Sequence, residues 1–333
     1  MDVRYTPEQQ SLRDAVARAA RDLAPRTVAE LGDSERSAKL GAVIAATGWR
    51  ELRVDDEGRP VASAVEVAIV AEELARKLCD APYLGPVLAA DARRLAGVAH
   101  GAENETVALR ADLADLAPAA DQAVLAFDAA GAEAAVGVLA DGTLTSVSLD
   151  AGAADLADLT RPMRRVVPTT AHPSGALASA DVRRWVALGL TGTTADLVGT
   201  MQGALDLTVE YAKERRQYGV PIGSFQAVAH MLADASVHLE GARTTLLHAA
   251  WAVDALAPAD ARAAAAVAKA YAARSARTVC ETAIQVHGGI GNTWECMAHV
   301  YLRRALLSTE LFGGVDASLE RVLAHHGIDA GAS

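Results

Sequence analysis

Apolar positions along the chain change their period twice. From residue 5 to about 100 they recur at helical spacing: Leu12, Val16, Ala19 and Leu23 share one face, and Val65, Ile69, Val70, Leu74 and Leu78 form a second run. Thr6 suits a helix N-cap, Pro7 the first helical position, and Gln9 completes a capping-box pattern. The second run is expected to end near Asp80-Ala81-Pro82, where proline forbids continuation. Between about 105 and 170 the signal shortens to β-like pieces: Thr106–Leu109, Ala123–Phe127, Ala135–Leu139 and Leu144–Leu149. Ala130-Gly131 and Asp141-Gly142 separate them as turns. From about 181 long helical stripes return, one through Leu197, Met201, Leu205, Thr208, Val209 and Ala212. Another runs through Val228, Met231, Ala235, Leu239, Ala242, Leu246 and Val253. An alanine-rich third helix is expected over roughly 260–285.

The pattern implies an α+β, mostly α chain in three parts. Residues 1–104 form a helical N-terminal domain, 105–180 a small, mostly antiparallel β domain, and 181–333 a C-terminal four-helix bundle. With 333 residues, 51% of them hydrophobic, the chain is long enough to bury a substantial core. Its three cysteines, Cys79, Cys280 and Cys296, show no metal-ligand spacing and argue against a disulfide framework, so no metal site is expected and a reducing, cytoplasmic setting is. The opening Met1-Asp2-Val3-Arg4-Tyr5 has no signal-peptide pattern, and charges interrupt every apolar stretch before it reaches the length of a membrane span. A net charge of −11 disfavours nonspecific nucleic-acid binding.

Two segments carry the candidate chemistry. Glu214 through Gln226 joins a paired cation, Arg215-Arg216, to the planar side chains Tyr218 and Phe225 and to Gly219 and Gly223; Gln285-Val286-His287-Gly288-Gly289-Ile290-Gly291 follows about seventy residues later. Arginine offers a rigid fork for phosphate oxygens, and aromatic rings pack on planar ligands. Each segment by itself also reads more simply, the first as cations at a helix C-terminus and the second as a glycine-capped helix end.

Together with Thr6–Gln10, Ala71–Ala75, Ala233-Asp234, Thr293-Trp294-Glu295 and Tyr301–Ala305, these segments resemble the acyl-CoA dehydrogenase family over most of the chain and in order. The resemblance implies that Arg215, Gln217 and Tyr218, with Ile222 and Phe225 nearby, contact the adenosine diphosphate part of FAD. It also implies that Gln285, Gly288 and Gly289 complete the pyrophosphate site, and that both segments reach across a dimer interface to a flavin held mainly by the neighbouring subunit.

The departures are equally specific. The family's Thr-Glu-Pro-x-Ala-Gly-Ser-Asp motif and the Trp-Ile-Thr pattern of the β domain are missing, and Leu190 stands where an arginine is common. The usual catalytic glutamate falls on Phe312, in Leu311-Phe312-Gly313-Gly314; Glu310 is the nearest carboxylate, and Glu295 matches a structural glutamate at a helix start. Such a chain is similar to the smaller, non-catalytic subunits of actinobacterial α2β2 acyl-CoA dehydrogenases, some of which act on CoA thioesters of steroid side chains. The resemblance therefore implies a catalytic acyl-CoA dehydrogenase subunit as partner and an acyl-CoA bound mainly by that partner. Two other readings predict different behaviour: a self-sufficient dehydrogenase using Glu310 as base, and a cofactor-free scaffold subunit.

Overall fold

The computed structural model describes residues 4–99, 104–114, 116–117, 122–149, 157–166 and 172–328. Met1–Val3 of the opening segment lie outside them.

Four helices make the N-terminal part: α1 (Pro7–Leu23), α2 (Ser34–Ala46), α3 (Ala64–Arg76) and α4 (Leu84–Leu95). The capping box expected at Thr6 and Gln9 is present, and Ser63 with Glu66 builds a second one at the start of α3. A two-residue hairpin, β1 (Asp55–Asp56) and β2 (Arg59–Pro60), leads into α3. The end of α3 differs from expectation. The helix stops at Arg76 because Leu78 turns left-handed, at φ +53°, before Pro82 is reached.

The six-stranded sheet comprises β3 (Glu105–Arg110), β4 (Val124–Phe127), β5 (Ala134–Val138), β6 (Thr143–Ser148), β7 (Arg164–Val166) and β8 (His172–Ala176), in the order β7-β4-β3-β5-β6-β8. Every pairing is antiparallel except β3 with β5. The four strands read from the sequence are present within one residue at each end, while β7 and β8, short and polar, carry no alternating apolar signal. A buried ion pair between Arg93 of α4 and Glu105 of β3 fastens the sheet to the N-terminal helices.

The C-terminal part packs α5 (Ser179–Glu214), α6 (Gln226–Ala255), α7 (Pro258–His287) and α8 (Ala298–Glu310) as a bundle, with α9 (Val315–His325) laid against α7. A small hairpin, β9 (Arg216–Gln217) and β10 (Val220–Pro221), follows α5. Helix α5 is the spine, packing on α3, α6, α7 and α8. Close approach to α3 requires glycine, because a Cβ at Gly199 would sit 2.1 Å from the Glu72 carbonyl oxygen and one at Gly203 2.2 Å from that of Arg76. Alanines 261, 265, 266, 268, 272, 273 and 276 of α7 are buried, so the alanine-rich run serves tight helix packing. Trp185 of α5 is fully buried and donates to the Leu88 carbonyl at 2.9 Å, tying the bundle to α4.

Candidate functional site

Both sequence segments lie where helices of the bundle end. Helix α5 stops at Glu214, and Arg215 takes an extended conformation with its N–H on the Tyr211 carbonyl. The β9–β10 hairpin then turns through Tyr218 (φ +52°) and Gly219 (φ +83°), and Ile222 N–H donates to the Arg215 carbonyl at 2.8 Å to close its base. A two-residue hairpin turn with both central residues left-handed normally takes Asn-Gly or Gly-Gly. A tyrosine there costs about 1 to 2 kcal/mol of backbone strain, and its side chain is 94% exposed. Phe225 meets the Tyr218 ring edge-on, with centroids 6.4 Å apart. Among the described residues no acceptor meets the Arg215 guanidinium, whereas Arg216 is partly engaged with the Gly219 carbonyl at 3.2 Å.

Helix α7 ends at His287 because Gly288 adopts φ +65°. Residues 288–292 form a single tight turn; Gly291 is buried, and a Cβ there would lie 2.8 Å from the Ile284 carbonyl oxygen. Gln285, Gly288 and Gly289 are exposed, with open space where Cβ atoms of the two glycines would stand. His287 is buried and stacked on Tyr211, with centroids 4.3 Å apart and planes 21° from parallel. The fold thus brings Arg215, Gln217 and Tyr218 together at one hairpin, with Ile222 and Phe225 in the turn that leads from it into α6, and Gln285, Gly288 and Gly289 at a second helix end, joined to the first by the Tyr211–His287 stack. Among the exposed large apolar side chains, Tyr218, Val220, Ile290 and Trp294 belong to these two segments or follow directly on them. Next to Trp294, a cleft of about 560 Å³ opens on α8 between His299, Arg303 and Leu306.

An uncommitted guanidinium, an exposed ring and an open glycine edge suit a pyrophosphate with attached planar groups. The residues present therefore fit the contact half of a dinucleotide site.

Position 312 has the opposite character. Phe312 is 1% exposed, with its ring edge-to-face against Trp185 (5.5 Å) and Phe127 (6.5 Å). A Cβ at Gly189 would fall 2.5 Å from that ring, so glycine makes the room it occupies. The backbone around it is pinned: Arg321 donates to the Phe312 carbonyl at 2.8 Å, and Lys269 donates to the carbonyls of Ser308 and Leu311 and to Thr193 Oγ1. Burial pushes the Lys269 pKa down to about 7 against the pull of Asp196 and Glu310. Glu310 itself is exposed at the end of α8, its carboxylate lying over Gly314.

A buried network that the sequence reading did not single out sits in the same interior. Asp196 accepts from Arg161, Arg304 (Nη2, 2.6 Å) and Ser308 (Oγ, 2.6 Å), and Arg161 also pairs with Asp128 at 3.2 Å. Burial raises the Asp196 pKa, but Arg161, Arg304 and the Ser308 hydrogen bond outweigh it and hold the carboxyl below its ordinary value. The one available signal was an aspartate inside the otherwise uncharged stretch Trp185–Leu205 of α5. The cavity among Leu84, Asp128, Arg161, Asp196 and Arg304 measures only about 10 Å³.

Helical N-terminal part, central sheet and C-terminal bundle, in that order, make the architecture of the acyl-CoA dehydrogenase fold. The family model for the acyl-CoA dehydrogenase C-terminal domain matches residues 189–327. Acyl-CoA dehydrogenase IpdE2 of Mycobacterium tuberculosis is 31% identical over 329 residues, covering 95% of this chain and 96% of the relative. IpdE2 of Mycolicibacterium smegmatis is 32% identical over 268 residues, 78% of each chain. The chain belongs to the acyl-CoA dehydrogenase family. Its fold is similar to that of the Tcur3481-Tcur3483 steroid acyl-CoA dehydrogenase (TM-score 0.80, 24% identity, 96% of this chain and 98% of that one). It is also similar to the ChsE4-ChsE5 complex from Mycobacterium tuberculosis (TM-score 0.78, 22% identity, 99% and 100%).

Proposed function

We propose that this chain is the non-catalytic subunit of a heteromeric, FAD-dependent acyl-CoA dehydrogenase, and that its hairpin and glycine turn complete the flavin site of a catalytic partner. The observation that carries this reading is a contrast within the C-terminal part: Arg215, Gln217, Tyr218, Gln285, Gly288 and Gly289 are exposed, while Phe312, at the position the family resemblance assigns to the base, is packed into the core.

In this reading Arg215 neutralises pyrophosphate charge. Gln217 and Gln285 offer amide donors, Gly288 and Gly289 let backbone approach closely, and Tyr218 with Phe225 and Ile222 shields the ring system. FAD held at this surface would supply the acceptor for a hydride from the thioester's β-carbon, and the carboxylate for the α-proton would come from the partner. Closed dimers permit this division, because each cofactor is built from surfaces of two subunits and one subunit can lose its own pocket while still completing its partner's. The similarity in fold to a steroid acyl-CoA dehydrogenase and to a ChsE4-ChsE5 complex supports a two-subunit assembly acting on a bulky acyl-CoA, with a steroid side chain as the first substrate to try.

Arg215→Ala, introduced into the complex co-expressed with the partner, should strip most of the FAD while leaving the native mass intact. Full flavin content in that variant would contradict the proposal.

A further inference from the structure

The two contact segments are far apart in sequence, and each hangs from the last turn of a different helix. Their relative placement depends on what joins those turns. Tyr211 lies one helical turn before Arg215, and His287 stands between Gln285 and Gly288. The two rings stack face to face at 4.3 Å and 21°. The imidazole is fixed in its plane as well, since His287 Nδ1 donates to the Ala283 carbonyl at 2.7 Å. His287 is 6% exposed and Tyr211 is half-buried, while Arg215, Gln217, Gln285, Gly288 and Gly289 beside them are exposed.

We infer that Tyr211 and His287 form a positioning pair that sets the β9–β10 hairpin and the 288–292 turn at one fixed separation, so that both reach the same dinucleotide. This rests on the flavin-contact reading above and assigns residues to it that do not themselves meet the cofactor. Aromatic rings suit the role because they fix helix ends through a large rigid contact at little cost in side-chain entropy. Helix packing lower in the bundle leaves the terminal turns free to fray, and a stack at the last turn removes that freedom. A site needing donors from both segments within a few tenths of an ångström depends on such support.

The test uses the assembled complex stripped of FAD and titrated with FAD by flavin fluorescence. His287→Ala and Tyr211→Ala should each weaken binding about three- to tenfold, as loss of one aromatic stack does, with the native mass unchanged. The double variant should be no weaker than the worse single one, because either change already breaks the pair. His287→Phe and Tyr211→Phe, which keep a ring, should restore most of the affinity; His287→Leu, which keeps volume without a ring, should not. That leucine variant carries the test if an alanine variant fails to assemble. Arg215→Ala is run alongside. If Arg215→Ala weakens FAD binding while His287→Leu and Tyr211→Ala bind as the parent does, the positioning role is overturned and the flavin-contact reading stands. If Arg215→Ala also binds as the parent does, that reading falls and the positioning role falls with it.

Discussion

Phe312, at the position proposed above for the missing base, is at the scale of one side chain a core residue. Its ring fills space that Gly189 vacates, and Trp185 and Phe127 close on its edges. Truncation to alanine should cost about 3 to 5 kcal/mol in denaturant unfolding. Phe312→Glu should be at least as damaging, since it buries an unpaired carboxylate, and should yield no acyl-CoA dehydrogenation in the isolated chain; turnover in that variant would contradict the idea that the surrounding site is closed. Asp196 makes a pH prediction. Its folded pKa is depressed, so its contribution is fully present above the ordinary carboxylate range and is lost as pH falls through the lower folded value. Thermal melts of the parent should therefore fall with acid more steeply than those of Asp196→Asn. Lys269 acts in the other direction. Between about 7 and its ordinary 10.5 the unfolded chain binds the proton that the folded chain releases, so its contribution to stability rises with pH in that window, and Lys269→Met should remove the rise. At this scale the helix-end placement of the proposed contact residues was legible, because arginine, aromatics and glycines stand together in sequence. The Asp196 network was not, because Arg161 and Arg304 lie 35 and 108 residues away from it.

Among the elements, the β9–β10 hairpin stands out for holding a tyrosine where its turn favours asparagine or glycine. Such strain persists where a side chain serves something besides the fold. Tyr218→Asn should raise the melting temperature of the isolated chain, reflecting about 1 kcal/mol of relieved strain, and should lower FAD retention in the complex. A variant that stabilises with no loss of flavin would show that the tyrosine is not needed for binding. The α3–α5 crossing depends on Gly199, and Gly199→Val should destabilise the chain strongly by driving side-chain atoms into the Glu72 carbonyl. Long helices and four strands could be read from period and caps, because those signals are local. The end of α3 and the strands β7 and β8 could not. Leu78 turns left-handed in response to packing, and two short polar strands are placed by the partners they extend.

Across the whole molecule, the two ends of the bundle have been put to different uses. One interior holds a buried ring, a paired charge network and a cavity of about 10 Å³. The helix ends at the hairpin and glycine turn present free donors and exposed apolar rings. Among the described residues no helix is long and apolar enough to cross a membrane. The three-part order of the chain and its family were readable from sequence, since they follow from periodicity and from motifs in order. The closed interior needed coordinates, because absence of a motif does not say what fills its place. The most direct measurement of the shared-site account is flavin absorbance together with native mass, for this chain alone and co-expressed with an acyl-CoA dehydrogenase partner. The account predicts no FAD in the chain alone and FAD at about half the subunit count in a two-partner assembly; one FAD per subunit in the isolated chain, with turnover of an acyl-CoA, would contradict it.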